Sequence, residues 1–443
     1  MTATTIQRQQ TAAGSGAATA APGIGTRAEA AVDKFLQVTD SAIASYLEAC
    51  VHCGECSEAC HFYLSTHDPR YTPIYKLQPL VKAYKRHKAP LSTVTRALGL
   101  APAETTFDEL QAWSELVYDS CNMCGRCTLV CPMGIDIAGS VRKMREGFVA
   151  ADLAPEGLRT SEANALRTGS PMNITPKALR AQIAGQERET GIPIALDKKG
   201  ADYMVILSAM EVMGYPEVIG ALSRIFAKAG VDWTISTKAF EATNVGVQIG
   251  SRETARTLVS RVVEAAEELG VRYVISPECG HAYGALRWEG PNLMGRGYKF
   301  EVVHILELLD QLRREGRLKF RDKDKRRVTL HDPCQIVRRG GLVAEPRALM
   351  NEASEGFVEM RDSGVTNLCC GGGGGVSANP RAHGMMTKAF ACKLGQFNEI
   401  DGLELVVSPC ANCRTTLEEG LENYEVNLPV IGLGEFLAEH LAD

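Results

Sequence analysis

Two groups of four cysteines stand near the start of the 443-residue chain, each in the spacing C-x2-C-x2-C-x3-C. Their members are Cys50, Cys53, Cys56 and Cys60 in the first quartet, and Cys121, Cys124, Cys127 and Cys131 in the second. Thiolates bind soft metals, and this spacing is that of the cysteine ligands of [4Fe–4S] clusters. The two quartets therefore predict two cubane clusters, whose chemistry is the transfer of single electrons.

The fourth cysteine of each quartet is expected to bind the other cluster, as it does in two-cluster ferredoxins. The predicted ligand sets are Cys50, Cys53, Cys56 and Cys131 for one cubane, and Cys121, Cys124, Cys127 and Cys60 for the other. Pro132 follows the second quartet, but His61 stands at the equivalent place in the first, which leaves the local geometry at Cys60 open. Two four-cysteine zinc sites are the alternative, although zinc ligands more often come as separated pairs.

Five further cysteines after residue 333 form a third candidate site. They are Cys334, Cys369, Cys370, Cys410 and Cys413. Adjacent cysteines ligate one tetrahedral ion poorly, but they can bind different irons of a larger cluster. Five consecutive glycines, residues 371–375, allow the backbone to come close to a bulky cofactor. A zinc site or unliganded thiols are the alternatives, and the glycine run lacks the Lys-Ser/Thr ending of a phosphate-binding loop.

Composition indicates an ordinary globular protein apart from its 15 cysteines. The near balance of 48 basic and 53 acidic residues argues against a dedicated nucleic-acid binder. No apolar run reaches the length of a membrane span, and neither a secretory nor a twin-arginine signal is visible. We therefore expect a cytoplasmic protein, in which clustered cysteines are metal ligands rather than disulfides.

The elements around these motifs divide into a helical part and an α/β part. Residues 1–28 are expected to be a disordered tail. Residues 29–155 carry apolar side chains at helical intervals around the quartets and predict an α-helical ferredoxin-type domain holding both cubanes. Residues 156–200 lack strong periodicity and are interpreted as a linker.

Short apolar runs alternate with helical stretches after residue 200, which is typical of an α/β fold. The order of elements repeats, so we predict a duplication with halves at 201–324 and 325–443. One strand ends in Ser276-Pro277-Glu278-Cys279, where the other ends in Ser408-Pro409-Cys410. The predicted fold is multidomain, with a helical ferredoxin-type domain followed by this duplicated α/β unit.

The pattern C-x34-CCG-x38-C-x2-C resembles the cysteine-rich CCG domain of heterodisulfide reductases, and the quartets resemble the ferredoxin-like subunit of that family. The resemblance covers roughly residues 45–150 and 201–420. It implies that the five late cysteines bind one non-cubane [4Fe–4S] cluster in the second half. The first half keeps only Cys279 of such a set and is degenerate; Cys279 either caps the shared pocket or is a buried structural thiol.

The same resemblance implies an oxidoreductase subunit of a heterodisulfide reductase-like complex. Electrons would pass through the two cubanes to the CCG-type cluster, where a disulfide, thiol or persulfide substrate is reduced or oxidised. The five late cysteines and His331 are the predicted catalytic residues. Disulfide reduction consumes protons, so His331 and the weaker candidate His281 could supply them. Alternatively, His331 only bonds the backbone beside the cluster.

The chain has no flavin or nicotinamide fingerprint, so partners are expected to include a flavoprotein, another iron–sulfur subunit or a membrane subunit. Through such partners the protein could lie against a membrane. The alternative function is an electron relay to quinone for a flavin-dependent glycolate, lactate or glycerol-3-phosphate dehydrogenase.

Overall fold

The structure is a computed structural model, and it describes residues 23–442. Residues 1–22 of the expected disordered tail lie outside the described residues. The expectation was wrong for the end of that segment, because the first helix begins at Ile24. The buried face of this helix consists of Ala28, Ala31 and Phe35. Alanine side chains are small, so the start of the helix shows only a weak apolar pattern in the sequence.

The first part of the chain is helical. Its helices are α1 Ile24–Val38, α2 Ser41–Ala49, α3 Glu55–Glu58, α4 His61–Leu64, α5 Gln78–His87, α6 Ser92–Ala97, α7 Phe107–Asp119, α8 Arg126–Leu129 and α9 Ile137–Ala150. Helices α1 and α9 pack closely, since Gly147 leaves room for the ring of Phe35. The rings of Phe35 and Phe148 lie 5.6 Å apart and form the centre of this core. The core holds the two quartet loops in place.

The segment 156–200 contains two helices, α10 Glu156–Thr168 and α11 Pro176–Thr190, which the prediction of a linker did not include. Prolines stand at both helix starts: Pro155 is the N-cap of α10, and Pro176 is the first residue of α11, a position where proline is favoured. The apolar side chains of these helices are few but buried, as Leu158 and Leu179 illustrate.

The first α/β unit has a four-stranded parallel sheet. Its strands are β1 Tyr203–Val205, β2 Trp233–Thr234, β3 Tyr273–Ser276 and β4 Glu301–His304, in the order β2-β1-β3-β4. In register, β1 and β3 place Tyr203 opposite Tyr273. Its helices are α12 Ala209–Met213, α13 Glu217–Ala229, α14 Val245–Ile249, α15 Arg252–Leu269, α16 Gly280–Gly284, α17 Gly290–Met294 and α18 Ile305–Arg314, with a π-helical turn at Ala285–Glu289 between α16 and α17.

The second α/β unit repeats this arrangement. Its strands are β5 Val328–Leu330, β6 Phe357–Val358, β7 Leu405–Ser408 and β8 Val430–Gly432, in the equivalent order β6-β5-β7-β8, again all parallel. Its helices are α19 Ala344–Ala353, α20 His383–Asn398, α21 Ala411–Asn423 and α22 Leu433–Glu439. The predicted α/β architecture of this part of the chain is therefore correct, and both sheets share one hydrophobic core.

The carboxyl ends of β3 and β7 meet between the two units. Each strand is followed by a cysteine that caps a helix: Cys279 precedes α16 and Cys410 precedes α21. The Ala411 N–H donates to the Glu278 carbonyl over 3.1 Å, which joins the two loops directly. In parallel sheets the carboxyl ends of the strands are the usual place for ligand sites.

Candidate iron–sulfur sites

The first site is a cavity lined by Cys50, Cys53, Cys56 and Cys131, the four cysteines predicted to share one cubane. Ile74 completes an apolar wall. His52 (φ 54°) and Gly54 (φ 88°) give the quartet loop the left-handed turns that curl it inward. Burial raises the pKa of Cys56, and the neighbouring thiols raise it further. Iron ligation would remove this cost by holding the sulfur as a thiolate.

The second site is lined by Cys60, Cys121, Cys124 and Cys127, again the predicted crossover set. Met123 (φ 52°) and Gly125 (φ 78°) repeat the turns of the first quartet loop. Burial raises the pKa of Cys127 well above its ordinary value, and the neighbouring thiols add to the effect. The structure thus brings each fourth cysteine to the opposite triplet, although the sequence distance is about 70 residues.

Lys76 supplies a buried positive charge at the second site. Its Nζ lies 3.9 Å from the Cys60 sulfur, donates to the Ser120 carbonyl and faces the ring of Phe62 at 5.2 Å. A buried cation is costly unless negative charge faces it, and cluster thiolates supply such charge. The sequence did not identify Lys76 as a site residue. The one indication it offers is the position of Lys76 next to an apolar residue, Leu77, which is buried.

The five late cysteines come together in a third site between β5, β7 and α21, and all of them are buried. The sulfurs of Cys334 and Cys369 lie 3.9 Å apart, and those of Cys370 and Cys413 lie 3.3 Å apart. Hydrogen bonds from Cys369 and then Cys413 hold the pKa of Cys370 well below its ordinary value. The neighbouring cysteines therefore favour the thiolate form of Cys370.

His331 lies against this third site. Its ring nitrogen and the sulfurs of Cys370 and Cys413 all fall within 4.8 Å of one another. Neither ring nitrogen has a protein hydrogen-bond partner within residues 23–442, although the ring is fully buried. Burial lowers the pKa of His331, so the ring is neutral and its unpartnered nitrogens are available to a sulfur or an iron.

Lys393 is a second buried cation near the sulfurs, missed because it lies within the helical pattern of α20. Its Nζ donates to Gln396 over 2.8 Å. Burial lowers the pKa of Lys393 to about 8, while the nearby Cys369 and Cys370 oppose that shift. Cys392, in the same helix, lies half-buried with its sulfur 3.9 Å from the His61 carbonyl.

The glycine run joins the second and third sites. The Asn122 side chain donates to the carbonyls of Gly371 at 2.5 Å and Gly373 at 3.0 Å. A side chain at Gly374 would meet the Asn122 backbone at 2.8 Å, so this approach requires glycine. A hydrogen bond with Cys369 is the main reason that the pKa of Cys124 falls well below its ordinary value. The second and third sites are therefore neighbours, joined by the hydrogen bonds of Asn122 to the glycine run.

Cys279 and His281 border the third site from the first α/β unit. Burial raises the pKa of Cys279 to about 12, and the neighbouring Cys410 adds to the effect, so Cys279 is a neutral thiol. The Oγ1 of Thr243 lies 3.8 Å from the Cys279 sulfur. His281 accepts a hydrogen bond from the Gly374 N–H over 3.3 Å, and burial lowers its pKa to about 4. Its Nε2 is thus an acceptor rather than a proton donor.

Family models match two parts of the chain. A 4Fe-4S dicluster domain matches residues 46–135, which hold both quartets. A cysteine-rich domain, the CCG type, matches residues 328–418, which hold the five late cysteines. These matches support bound iron–sulfur clusters in both regions.

Curated relatives cover most of the chain. An Hdr-like menaquinol oxidoreductase iron-sulfur subunit 2 from Archaeoglobus fulgidus is 28% identical, over 89% of this chain and 80% of the relative. A subunit of the dihydromethanophenazine:CoB–CoM heterodisulfide reductase of Methanosarcina barkeri is also 28% identical, over 89% and 94% of the two chains. The EtfAB:quinone oxidoreductase of Syntrophomonas wolfei is 28% identical over 86% of this chain, which spans 56% of that protein.

These comparisons confirm the resemblance to heterodisulfide reductase-like iron–sulfur proteins and support an electron-transferring oxidoreductase role. Within residues 23–442, no helix combines the length and the apolar character needed to cross a membrane.

Proposed function

We propose that this heterodisulfide reductase-like protein reduces or oxidises a disulfide, thiol or persulfide substrate at its five late cysteines. The observation that carries the proposal is the contact between the second quartet loop and the five-cysteine site, where the Asn122 side chain donates to the carbonyls of Gly371 and Gly373. A one-electron carrier next to a buried sulfur-rich site is the arrangement that stepwise sulfur chemistry requires. The two quartets then receive electrons, or pass them on, through partner subunits.

The residues present fit three clusters. Each quartet cavity offers four cysteine sulfurs, the ligand number of a cubane. The third site offers five buried sulfurs beside a glycine run in which Gly372, Gly374 and Gly375 leave no room for side chains, which suits a larger, non-cubane [4Fe–4S] cluster. Bound clusters would supply single-electron transfer at the quartets and reactive iron atoms at the third site.

This chain's own residues would prepare the third site for that chemistry. Lys393 offsets the negative charge of the Cys369 and Cys370 sulfurs. His331 faces Cys370 and Cys413 as a neutral ring and holds one proton on an unpartnered nitrogen. We assign to it the role of donating a hydrogen bond, or the proton itself, to a sulfur atom at the site.

We also propose that the first α/β unit is a degenerate copy of the CCG domain. Both sheets have the same strand order, and Cys279 caps α16 as Cys410 caps α21. Ser276 occupies the end of β3 and its buried hydroxyl has no partner within the described residues. With one cysteine left, this copy would shape the pocket rather than bind a second non-cubane cluster.

Partner subunits are part of the proposal. Two of these relatives are, by name, subunits of larger oxidoreductases, and the third is named for quinone. We propose that this chain likewise works with redox subunits, among them a flavoprotein, a further iron–sulfur subunit or a membrane subunit. None of these three relatives is named for glycolate, lactate or glycerol-3-phosphate, and the dehydrogenase-relay alternative is not favoured.

Iron content and one cysteine variant test the proposal. Anaerobically purified protein should hold about 12 iron atoms, at four per cluster. The Cys370→Ser variant should lose iron from the third site only, keep about 8 atoms and abolish disulfide reduction by reduced viologen. Cys392→Ser is the matched control, because Cys392 belongs to none of the three cysteine sets. Full turnover by the Cys370→Ser variant, or zinc in the third site, would overturn the proposal.

A further inference from the structure

Four large apolar side chains project from the helical part of the chain around the short helix α6. They are Leu91, Val94, Leu98 and Leu100, whose exposed fractions are 73%, 50%, 66% and 74%. Leu91, Val94 and Leu98 follow one another at helical intervals, so they share one face of α6. We call these four residues the apolar tip. An exposed apolar group of this kind is typical of an interaction surface.

The apolar tip is held in a fixed position by the chain on both sides of it. Arg86 of α5 donates to the Pro102 carbonyl over 2.7 Å and pairs with Glu104, which ties the chain after α6 back to α5. The Leu100 N–H donates to the Thr95 carbonyl over 2.8 Å and closes the end of α6. The side chains of the tip are therefore presented to solvent in a defined arrangement.

The backbone at Leu91 shows that this exposure is costly. Its φ of 63° falls in the left-handed region, which is unfavourable for a bulky side chain. Its side chain gains little burial in return, whereas the next residue, Ser92, is buried. A strained and exposed leucine is a reason to look for a further surface that covers it.

The chain around the apolar tip carries positive charge only. No acidic residue occurs between Asp68 and Glu104, although the net charge of the whole chain is -5. The basic residues of this stretch are Arg70, Lys76, Lys82, Lys85, Arg86, Lys88 and Arg96. Helices α5 and α6 pack against each other, and each contributes an exposed cation: Lys85 from α5 and Arg96 from α6. Neither of these two forms an ion pair within the described part of the chain.

An apolar projection with a basic border fits the surface of an anionic lipid bilayer. Aliphatic side chains enter the boundary between headgroups and acyl chains, while lysine and arginine contact the lipid phosphates. At least half of each side chain in the tip is exposed, so the tip projects instead of forming a groove. A soft lipid surface accepts such a projection, whereas a protein partner would need a matching apolar recess.

We propose that the apolar tip, together with Lys85 and Arg96, binds the headgroup region of an anionic lipid bilayer. The contact is peripheral, because the six residues of α6 are too few to cross the hydrocarbon core. It would hold the helical part, which carries the two quartets, directly against the membrane. The inference does not depend on the proposed disulfide chemistry, since no residue of the tip lines either quartet cavity.

Vesicle binding by the full-length, cluster-loaded protein tests this inference. The vesicles consist of phosphatidylcholine alone or of phosphatidylcholine with about one third phosphatidylglycerol, and bound protein is separated by anaerobic sedimentation. We expect about twenty-fold tighter binding to the anionic vesicles, since each of the two exposed basic residues contributes roughly five-fold. The preference should disappear at about 1 M salt, where the charges are screened.

A double variant of the tip measures the apolar contribution. Leu98→Gln/Leu100→Gln should bind anionic vesicles about ten-fold more weakly or worse, because the apolar area that enters the bilayer is lost. Leu166→Gln/Met213→Gln is the matched control, since Leu166 of α10 and Met213 of α12 are also exposed apolar residues outside the tip. The control should bind as the wild type does.

A second double variant measures the charge contribution. Lys85→Gln/Arg96→Gln should lose most of the preference for anionic over neutral vesicles. Lys177→Gln/Arg188→Gln is its control, because it removes the same charge from exposed positions on α11 and should keep the preference. Every variant should retain the visible spectrum of the wild-type clusters, which shows that its fold is intact.

Three results would overturn the inference. The first is no binding to anionic vesicles, which would leave the tip to an acidic protein partner. The second is equal binding to both kinds of vesicle, and the third is unchanged binding by Leu98→Gln/Leu100→Gln. Disulfide reduction by the same preparations without vesicles reports on the proposed function separately, so either idea can fail while the other stands.

Discussion

At the scale of single residues, buried cations mark the cysteine sites. Lys76 lies beside Cys60, Lys393 lies near Cys369 and Cys370, and Arg145 donates to the Cys121 carbonyl over 2.9 Å. All three cationic side chains are at most 2% exposed. Burying an isolated charge costs several kcal/mol, so such residues indicate that negative charge is held close to them. Thiolate ligands provide that charge.

The crossover of the fourth cysteines can be tested at one residue. Cys131→Ser should alter the spectrum and potential of the cluster held by the first quartet, although Cys131 follows the second quartet in sequence. The reason is that Cys131 lines the same cavity as Cys50, Cys53 and Cys56. Paramagnetic spectra recorded during a potentiometric titration give the answer. A change confined to the other cubane would contradict the assignment, and Cys392→Ser should change neither.

Buried carboxyl groups predict that stability falls as the pH rises from acid towards about 8. Burial raises the pKa of Glu241 to about 8, although the Thr243 side chain and N–H, the latter 2.8 Å away, favour its charged form. The group is protonated in the fold at neutral pH and ionised when the chain unfolds, so unfolding releases a proton between pH 4.5 and about 8. The free energy of unfolding therefore falls with rising pH in that window, by about 1 kcal/mol per pH unit for this group.

The Glu241→Gln variant should flatten this dependence. Melting temperatures of the anaerobic holoprotein between pH 6 and about 8 would fall less in the variant than in the wild type, since glutamine cannot ionise. Glu267→Gln is the control: Glu267 is paired with Arg296 and its pKa is lowered, so it contributes no loss of stability in this window. Parallel slopes for wild type and Glu241→Gln would show that Glu241 is ionised in the fold.

At the scale of elements, the glycine run, residues 371–375, packs against the second quartet loop and connects that loop to the third site. Gly374 has φ 64° and its α-carbon faces the Asn122 backbone. Gly375 has φ 88° and faces the side chain of Leu158 in α10. A side chain at Gly374 would push the quartet loop away from the third site, and one at Gly375 would push α10 away. The run therefore sets the distance between the second and third sites.

Gly374→Ala should separate the two sites. The new methyl group would lie 2.8 Å from the Asn122 backbone, so the variant should melt at a lower temperature and pass electrons to a disulfide more slowly. Gly402→Ala is a matched control, since Gly402 has φ 67° but open space around its α-carbon. The control isolates the backbone strain, about 1 kcal/mol, from the loss of contact. Equal effects of the two variants would mean that the close approach is unimportant.

At the scale of the whole molecule, Arg145 connects all three parts. From α9 its guanidinium donates to the carbonyls of Val117 at 2.8 Å and Cys121 in the helical part. It also donates to Gln248 in the first α/β unit and to Gly374 in the second. The same guanidinium stacks over the Tyr118 ring at 4.6 Å. One side chain therefore satisfies buried carbonyls from three units at once.

Arg145→Leu should destabilise the assembly of the three parts by about 3–5 kcal/mol, the cost of removing one partner from a buried charged network. Denaturant titration followed by loss of cluster absorbance measures the effect. Arg159→Leu is the control, because Arg159 pairs with Asp152 at 2.6 Å on an exposed surface and should cost no more than about 1 kcal/mol. A similar midpoint for both variants would contradict the central role of Arg145.

The fold was predictable wherever the chain has a strong local pattern. The quartet spacing, the alternation of short apolar runs with helices and the two strand ends at Cys279 and Cys410 are all visible in sequence, since they depend on near neighbours. The helices α10 and α11 were not predicted, because few apolar side chains mark them and their stability comes from packing on other elements.

The sequence by itself determined the chemistry, because ligand type and spacing are local properties of the quartets and of Cys369–Cys370. Only the tertiary structure decided which sites touch. The approach of Asn122 to the glycine run and the burial of Lys76, Arg145 and Lys393 depend on contacts between distant segments. Asn122 and Gly373, for example, are 251 residues apart in the chain. Such contacts depend on how the three units pack, and no local pattern encodes that packing.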